Sequence, residues 1–270
     1  MTPSPRSFPA VIRVKSSAPS TRLKVVAAVG VLMLILWAVW AARGRGNVQP
    51  ALRLGIASSL APLLPEVERV AGGRPVEVTF ASSGRIVRQL SAGAPFDTVL
   101  LADDEAMDRL EAEDLVNPAT RVNLAGNRLV LVAPAGGQRP RGLSDLAGLR
   151  VALGEPETVP LGRYAREALR NAAAPDPGRI VYGASAEQVL SYARSGEVDA
   201  AVVYATDLTR AGGTLRLVEE IDPGLHPPVR CPAAVARGGR EPAAAAALLR
   251  ALASPGSRPA FEAAGFLPPG

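Results

Sequence analysis

The sequence predicts an α/β fold in which mainly parallel sheets are covered by helices on both faces. Two observations indicate this class. Short segments with strand patterns alternate along the chain with segments whose apolar residues recur every three or four positions. The strand-like segments are also largely apolar, which is typical of strands buried on both sides. With 270 residues, the chain can form one large domain or two lobes.

The alternation begins near residue 52. The predicted strands are 52–57, 76–80, 98–101, 129–133, 151–153, 180–182 and 200–204. The predicted helices are 60–70, 86–93, 104–113, 161–173 and 186–195. In such folds ligands bind beyond the carboxyl ends of the strands, where the helices begin.

The N-terminus carries the positive charge of the chain. Residues 1–50 contain seven basic groups and no acidic one, whereas residues 51–270 contain 23 basic and 25 acidic groups. Nucleic-acid binding normally requires a concentrated basic surface. The composition of the remaining chain therefore argues against that function.

An unbroken apolar run at 25–42 follows the basic segment 1–24. A helix of this length spans about 27 Å, close to the hydrocarbon thickness of a bilayer. The flanking charges predict a cytoplasmic N-terminus and export of the chain beyond the run. The run is either a signal peptide or a retained transmembrane anchor, because the small-x-small cleavage signal at 39–41 is poor. Residues 43–51 then form a linker.

The chain contains one cysteine, Cys231, and one histidine, His226, and we expect both to be structural. A single cysteine excludes an internal disulfide and a multi-cysteine metal site. A serine hydrolase would need a histidine partner, and neither a Gly-x-Ser-x-Gly elbow nor a phosphate-binding Gly-Lys-Ser/Thr loop occurs. We therefore predict a binding protein without enzymatic activity, cofactor or resident metal.

Two serine pairs, Ser58-Ser59 and Ser82-Ser83, lie where a predicted strand gives way to a helix. Helix N-termini present unpaired N–H groups and a partial positive charge, and both favour anions. Each serine could bind an anion oxygen, or it could cap its own helix. Spacing alone favours capping.

Three further junctions follow later strands. The loop 154–164 leads into a helix with the N–H of Leu161 near its start, and Ser185 is typical of a cap for the helix that contains Val189. Tyr204 ends the predicted strand 200–204, a position that alone is more typical of a core or rim residue.

In this order, the segments resemble the periplasmic molybdate-binding proteins of molybdate ABC transporters, over roughly residues 52–268. No single motif is diagnostic, but the ordered series is specific. The motifs are ASSL (57–60), FASSG (80–84), QLSAGAPFD (89–97), AD (102–103), LAGNRLVLVAP (124–134), GEPETVP (154–160), VY (203–204) with Asp207, and GF (265–266).

The resemblance implies a type II periplasmic-binding-protein fold, with two lobes joined by a hinge and the ligand in the cleft between them. Lobe 1 would comprise 52–127 and 232–270, and lobe 2 would comprise 128–231. The crossings would lie near Asn127-Arg128 and Cys231-Pro232.

The resemblance also implies the ligand contacts. Hydroxyl groups and backbone N–H groups would hold the anion, and the matching residues are Ser59, Ser83, Leu161, Val189 and Tyr204. Leu161 replaces a small residue usual in the family, so its side chain should point away from the pocket. Gly84 and Arg85 replace a hydroxyl pair that often follows Ser83.

The implied function is capture of molybdate, and of tungstate, by a monomeric periplasmic or extracytoplasmic protein that delivers the anion to the permease of an ABC transporter. The protein would be tethered to the cytoplasmic membrane if residues 25–42 are retained. A pocket of neutral donors suits a fully deprotonated dianion, because a protonated anion would bring an O–H without an acceptor. The alternatives are a receptor for another oxyanion, such as sulfate or phosphate, and a membrane-tethered sensory binding module.

Overall fold

The computed structural model describes residues 33, 34, 37, 49–137 and 140–269. The predicted segment 1–24, most of the apolar run 25–42 and most of the linker therefore lie outside the described residues. Within the described part of the chain, no helix is long and apolar enough to cross a bilayer. Residues Gln49–Gly270 form one compact unit.

This unit contains two five-stranded sheets, ordered β2-β1-β3-β10-β4 and β7-β6-β8-β5-β9. The strands are β1 (Leu52–Ala57), β2 (Val76–Ala81), β3 (Thr98–Leu100), β4 (Val122–Asn127), β5 (Leu129–Pro134), β6 (Arg150–Gly154), β7 (Arg179–Gly183), β8 (Ala200–Tyr204), β9 (Leu215–Glu220) and β10 (Val229–Val235). The helices are α1 (Leu64–Val70), α2 (Ser83–Ser91), α3 (Asp104–Ala112), α4 (Pro160–Asn171), α5 (Ala186–Ser195), α6 (Ala205–Arg210), α7 (Pro242–Leu252) and α8 (Arg258–Ala263).

The two-lobe α/β class with mainly parallel sheets is confirmed: in each sheet four strands run in one direction and one strand runs opposite to them. β1 runs parallel to β2 and β3, and β6 runs parallel to β7 and β8. β5 and β10 run antiparallel to both of their neighbours. These are the strands by which the chain enters the second sheet and returns to the first. A strand that arrives directly from the other lobe needs no helical crossover, so it can pair antiparallel.

The connections between the sheets are short on one side and longer on the other. The chain leaves the first sheet after Asn127 and enters the second at Leu129. It leaves the second sheet after Glu220 and re-enters the first at Val229. The second crossing thus precedes the expected position near Cys231-Pro232.

Helices cover both faces of the first sheet. One face of β1 packs its Leu and Ile side chains against α1, α7 and α8, and buried Cys231 belongs to that cluster. The other face packs against α2 and α3, where a Cβ on Gly55 would lie 3.0 Å from Ile86. Pro62 lies inside the helical segment that follows β1, which is therefore a 3-10 helix (Ser58–Leu63) before α1 begins.

Candidate functional site

Helix starts from both lobes meet in the cleft between the sheets. They enclose a small cavity with a volume of about 10 Å³. The lining residues are Ala57, Ser58, Ser59, Ser82, Ser83, Ala102, Val159, Pro160, Leu161, Ala186 and Tyr204. The structure thus brings Ser59, Ser83, Leu161 and Tyr204 together at one place, whereas Val189 is not part of the lining.

Ser83 is a hydrogen-bond acceptor for the segment that follows β3 and does not cap its helix. It is fully buried as the first residue of α2, and its Oγ accepts a hydrogen bond from the backbone N–H of Ala102 at 3.0 Å. The N-cap residue Ser82 makes no side-chain bond to the helix either. Because the Ser83 oxygen serves as an acceptor, its hydroxyl proton remains available to a ligand.

Ser59 lies in the 3-10 helix at the carboxyl end of β1 and is 3% exposed. The N-cap position there belongs to Ala57, so Ser59 does not cap the segment. Its hydroxyl has no hydrogen-bond partner among the residues that the structure describes. It can therefore donate into the cavity without breaking a bond inside the protein.

The second lobe contributes the start of α4. Leu161 is the second residue of this helix, where backbone N–H groups have no acceptor within the helix. The next two N–H groups, those of Gly162 and Arg163, both donate to the carbonyl of Val159. The Leu161 side chain belongs to the core of the second lobe, so its bulk is accommodated away from the cleft. A Cβ on Gly162 would overlap the carbonyl of Gly154, which shows how closely α4 packs on β6.

Val189 lies one turn inside α5, and its N–H donates to the carbonyl of Ser185 at 3.2 Å. Ser185 is the N-cap of this helix, and its Oγ accepts from the N–H of Gln188 at 3.2 Å. Ala186, the first helical residue, lines the cavity and has no acceptor for its N–H within the helix. The expected donor and the observed lining residue thus differ by about one helical turn.

Tyr204 ends β8 and is 1% exposed. Its Oη is buried without a hydrogen-bond partner in the described part of the chain. Burial is the main cause that raises the pKa of this phenol well above its ordinary value, so Tyr204 stays protonated and can donate. A buried hydroxyl without a partner costs about 1–3 kcal/mol, and native proteins rarely tolerate that cost without a functional reason.

The hinge fixes the position of Tyr204. Tyr204 lies opposite Leu129 in the β5–β8 ladder, next to the first crossing between the sheets. The following residue, Ala205, donates its N–H to the carbonyl of Arg128 at 2.9 Å. The side chain of Asn127 donates to the Thr206 hydroxyl at 3.1 Å across the lobes. The phenol is therefore tied to the segment about which the lobes would move.

The cavity lining contains no basic side chain. Arg85, which follows the Ser82-Ser83-Gly84 turn, is exposed and does not line the cavity. Among the described residues, no group of His, Cys, Asp and Glu could hold a metal ion. What the site offers is a set of neutral donors and helix N-termini, which suits an anion.

The lobes contact each other directly at the rim of the cavity. The N–H of Gly84 donates to the carbonyl of Thr158 at 3.2 Å, and a Cβ at position 84 would come within 2.8 Å of that oxygen. Asp103 of the first lobe pairs with Arg163 of the second. The arrangement is therefore closed.

The model of the bacterial extracellular solute-binding proteins matches residues 52–267. The chain belongs to this family. This solute-binding protein is 35% identical over 181 residues to the molybdate-binding protein ModA of Escherichia coli strain K12, which covers 62% of this chain and 68% of ModA. It is 33% identical over 195 residues to the putative ABC transporter substrate-binding lipoprotein YvgL of Bacillus subtilis strain 168, at 71% and 75% coverage.

Among solved structures, this solute-binding protein superposes on the periplasmic molybdate-binding protein of Azotobacter vinelandii with a TM-score of 0.70. The match covers 81% of this chain and 100% of the other, at 23% sequence identity, and it supports the shared fold. The sequence match to ModA of Escherichia coli confirms the resemblance to the molybdate-binding proteins that the ordered motifs indicated.

Proposed function

We propose that this solute-binding protein captures a small tetrahedral oxyanion, molybdate or tungstate, outside the cytoplasm and delivers it to the permease of an ABC transporter. The central observation is the convergence of neutral donors from both lobes on one buried cavity. The ModA relatives support molybdate as the anion. All of the proposed donors belong to one chain, and we therefore propose that the protein acts as a monomer.

In this proposal the anion accepts from the hydroxyls of Ser59, Ser83 and Tyr204 and from the N–H groups of Leu161 and Ala186. We assign the last contact to Ala186 in place of Val189, because the N–H of Val189 is already bonded within its helix. Hydrogen bonds to a charged group contribute about 1.5–3 kcal/mol each, and helix N-termini add about 0.3–1 kcal/mol. Five such contacts can offset the cost of lobe closure and still give submicromolar affinity, about −8 kcal/mol.

Selectivity follows from the donors and from size. Hydrogen phosphate would bury an O–H without an acceptor, and that penalty disfavours it. Sulfate carries no proton, so it must be discriminated by its smaller size. Because the closed cavity accommodates about one water-sized sphere, the anion enters an opened cleft and the lobes then close on it.

Calorimetric titration of the purified protein with molybdate, tungstate, sulfate and phosphate tests this function. We expect submicromolar binding of molybdate and tungstate, and sulfate binding weaker by about 100-fold or more, equivalent to about 2.7 kcal/mol. Tighter binding of sulfate would support the alternative oxyanion receptor. Absence of heat with all four anions would refute an oxyanion-binding role.

The mature form of the protein is a separate part of the proposal. The family of extracellular proteins supports a location outside the cytoplasm. We propose that residues 25–42 direct export and are then either removed or kept as an anchor. The mass of the protein isolated from its host distinguishes these outcomes, since cleavage would remove about the first 41 residues.

A further inference from the structure

An ion pair joins the lobes at the rim of the cavity. Asp103 follows β3 in the first lobe, and its carboxylate pairs with the guanidinium of Arg163 in α4 of the second lobe. The Asp103 side chain is 1% exposed and the Arg163 side chain 27%. Arg163 Nε also lies 3.0 Å from the carboxylate of Glu105, which is largely exposed. Of the two carboxylate contacts of Arg163, the buried one with Asp103 across the lobes is therefore the stronger.

Both members of the pair adjoin the proposed site without lining it. Ala102, the residue before Asp103, lines the cavity and donates to the Ser83 hydroxyl oxygen. Leu161, two positions before Arg163, supplies a proposed N–H donor at the start of the same helix. A change in the pairing of Asp103 with Arg163 would therefore act on both walls of the cavity.

The charge of Asp103 is unfavourable in this position unless it is compensated. A buried carboxylate is costly without a partner, and beside an anion it would also repel the ligand. Burial raises the pKa of Asp103, and the nearby Arg163 opposes that rise. The field of Asp103 reaches the cavity, because it adds to the burial that raises the pKa of the Tyr204 phenol.

We propose that Arg163 is a positioning residue for anion binding, which closes the rim of the cleft and cancels the charge of Asp103 that would otherwise repel the dianion. The role in binding rests on the proposed function, whereas the interlobe ion pair can be tested without any ligand. Arg163 itself is not a ligand, since it does not line the cavity.

The surroundings of Asp103 make its titration identifiable. The charged and titratable groups that act on it or feel its charge are Arg163, Glu105, Tyr164, Tyr204 and Cys231. Burial raises the pKa of Cys231 to about 12 and raises the pKa of both tyrosines further above neutrality. His226 packs against Tyr164, with 5.9 Å between ring centroids, and burial raises the pKa of Asp207 to about 7. Both groups are present in the parent and in every variant of this test, so a change in pH dependence that follows the loss of Arg163 reports on Asp103.

Calorimetric titration of the full chain with molybdate at pH 5 and pH 8 tests the role in binding. We expect Arg163→Gln to weaken binding about tenfold or more at pH 8, and to a smaller extent at pH 5, where Asp103 can take up a proton. The double variant Asp103→Asn/Arg163→Gln removes both charges but keeps two amide side chains that can hydrogen bond across the rim, so it should bind within about threefold of the parent at both pH values. Arg170→Gln is the control, because it makes the same change at an exposed position of the same helix.

Three outcomes would overturn the proposal. The first is an equal loss of affinity at both pH values, which would indicate a merely structural effect of Arg163→Gln. The second is a double variant that binds no better than Arg163→Gln. The third is an Arg163→Gln variant that binds like the parent at pH 8.

Thermal unfolding without anion separates this inference from the proposed function. Removal of Arg163 should raise the folded-state pKa of Asp103 further above its unfolded value. A protein with a carboxyl group whose pKa is raised in the folded state loses stability as the pH increases from the unfolded-state pKa to the folded-state pKa of that group. The decrease in Tm of Arg163→Gln relative to the parent should therefore be larger at pH 8 than at pH 5. The double variant should show a smaller decrease. Equal deficits would refute the interlobe pair, even for a parent protein that binds none of the oxyanions.

Discussion

The backbone N–H of Ala102 donates to the hydroxyl oxygen of Ser83 at 3.0 Å, and this bond links the segment that follows β3 to the start of α2. It gives Ser83 a structural role in addition to the proposed ligand contact. Ser59, on the adjacent helical segment, has no such bond among the described residues. The two serines should therefore respond differently to the same substitution.

We predict that Ser83→Ala weakens molybdate binding and lowers stability, whereas Ser59→Ala weakens binding alone. Ser83→Ala leaves the buried Ala102 N–H without its acceptor, at a cost of about 1–3 kcal/mol. Chemical denaturation without anion measures the stability of both variants, and calorimetry measures their affinity. Equal stabilities of the two variants would contradict the assigned role of the Ala102–Ser83 bond.

We predict that Tyr204→Phe has opposite effects on binding and on stability. Loss of the hydroxyl removes a donor to the anion and should weaken binding about tenfold or more. It also removes a buried Oη without a partner, so the anion-free protein should be as stable as the parent or more stable by about 1 kcal/mol. Tyr182→Phe, at an exposed position of β7, should change neither quantity. A Tyr204→Phe variant with parental affinity would remove the phenol from the site.

We predict that Gly84→Ala impairs closure of the lobes. The new Cβ would lie 2.8 Å from the carbonyl oxygen of Thr158, which is too close for the observed arrangement. The first lobe should not be destabilised, since alanine is favoured over glycine in a helix by about 0.5–1 kcal/mol. Small-angle scattering with molybdate should show a more open particle than the parent, accompanied by weaker binding. Gly238→Ala, which meets no atom within 4 Å, is the control, and equal scattering of both variants would contradict this prediction.

We predict that ionisation of Asp207 lowers the free energy of unfolding of the protein as the pH rises. Burial raises its pKa from 3.8 to about 7, while Arg210, 3.5 Å away, partly opposes the rise. The folded protein then keeps a proton that the unfolded chain has lost, so stability falls between pH 4 and 7, by at most about 4 kcal/mol. In the variant Asp207→Asn, the amide side chain does not titrate. Its oxygen can still accept a hydrogen bond from the N–H of Tyr204, which lies 3.4 Å from the carboxylate in the parent.

Thermal unfolding at pH 5 and pH 8 checks this effect. Asp207→Asn should gain stability relative to the parent as the pH increases. Asp199→Asn is a control, because the hydrogen bond from Arg150 lowers the pKa of Asp199, so its charge stays constant over this range. A constant difference between parent and Asp207→Asn would show that Asp207 does not titrate there.

The strongly apolar parts of the fold were predictable from the sequence. The predicted strand 52–57 matches β1, and 200–204 matches β8, because buried parallel strands form continuous apolar segments. β9 was not predicted, since its sequence LRLVEE includes charged and exposed positions of an edge strand. The antiparallel entry of β5 and β10 depends on contacts between distant segments, which local patterns do not contain.

The candidate site was accessible to sequence reasoning only in part. Spacing alone favoured helix capping over ligand binding for both serine pairs. The Ala102–Ser83 hydrogen bond bears on this choice, but it joins elements that the sequence cannot place together. Ala186 was overlooked although a signal existed. Ser185 had the pattern of a cap, and only the first N–H groups after a cap lack an acceptor in the helix. Val189 lies beyond that first turn.

A crystal structure of the protein grown with molybdate, with anomalous scattering recorded near the molybdenum absorption edge, tests the central claim most directly. We expect one anomalous peak in the interlobe cavity, with anion oxygens about 2.7–3.2 Å from the hydroxyls of Ser59, Ser83 and Tyr204 and from the N–H groups of Leu161 and Ala186. A cavity without a peak, or a peak elsewhere such as the larger hinge-side cavity lined by Asn127 and Leu267, would contradict the account.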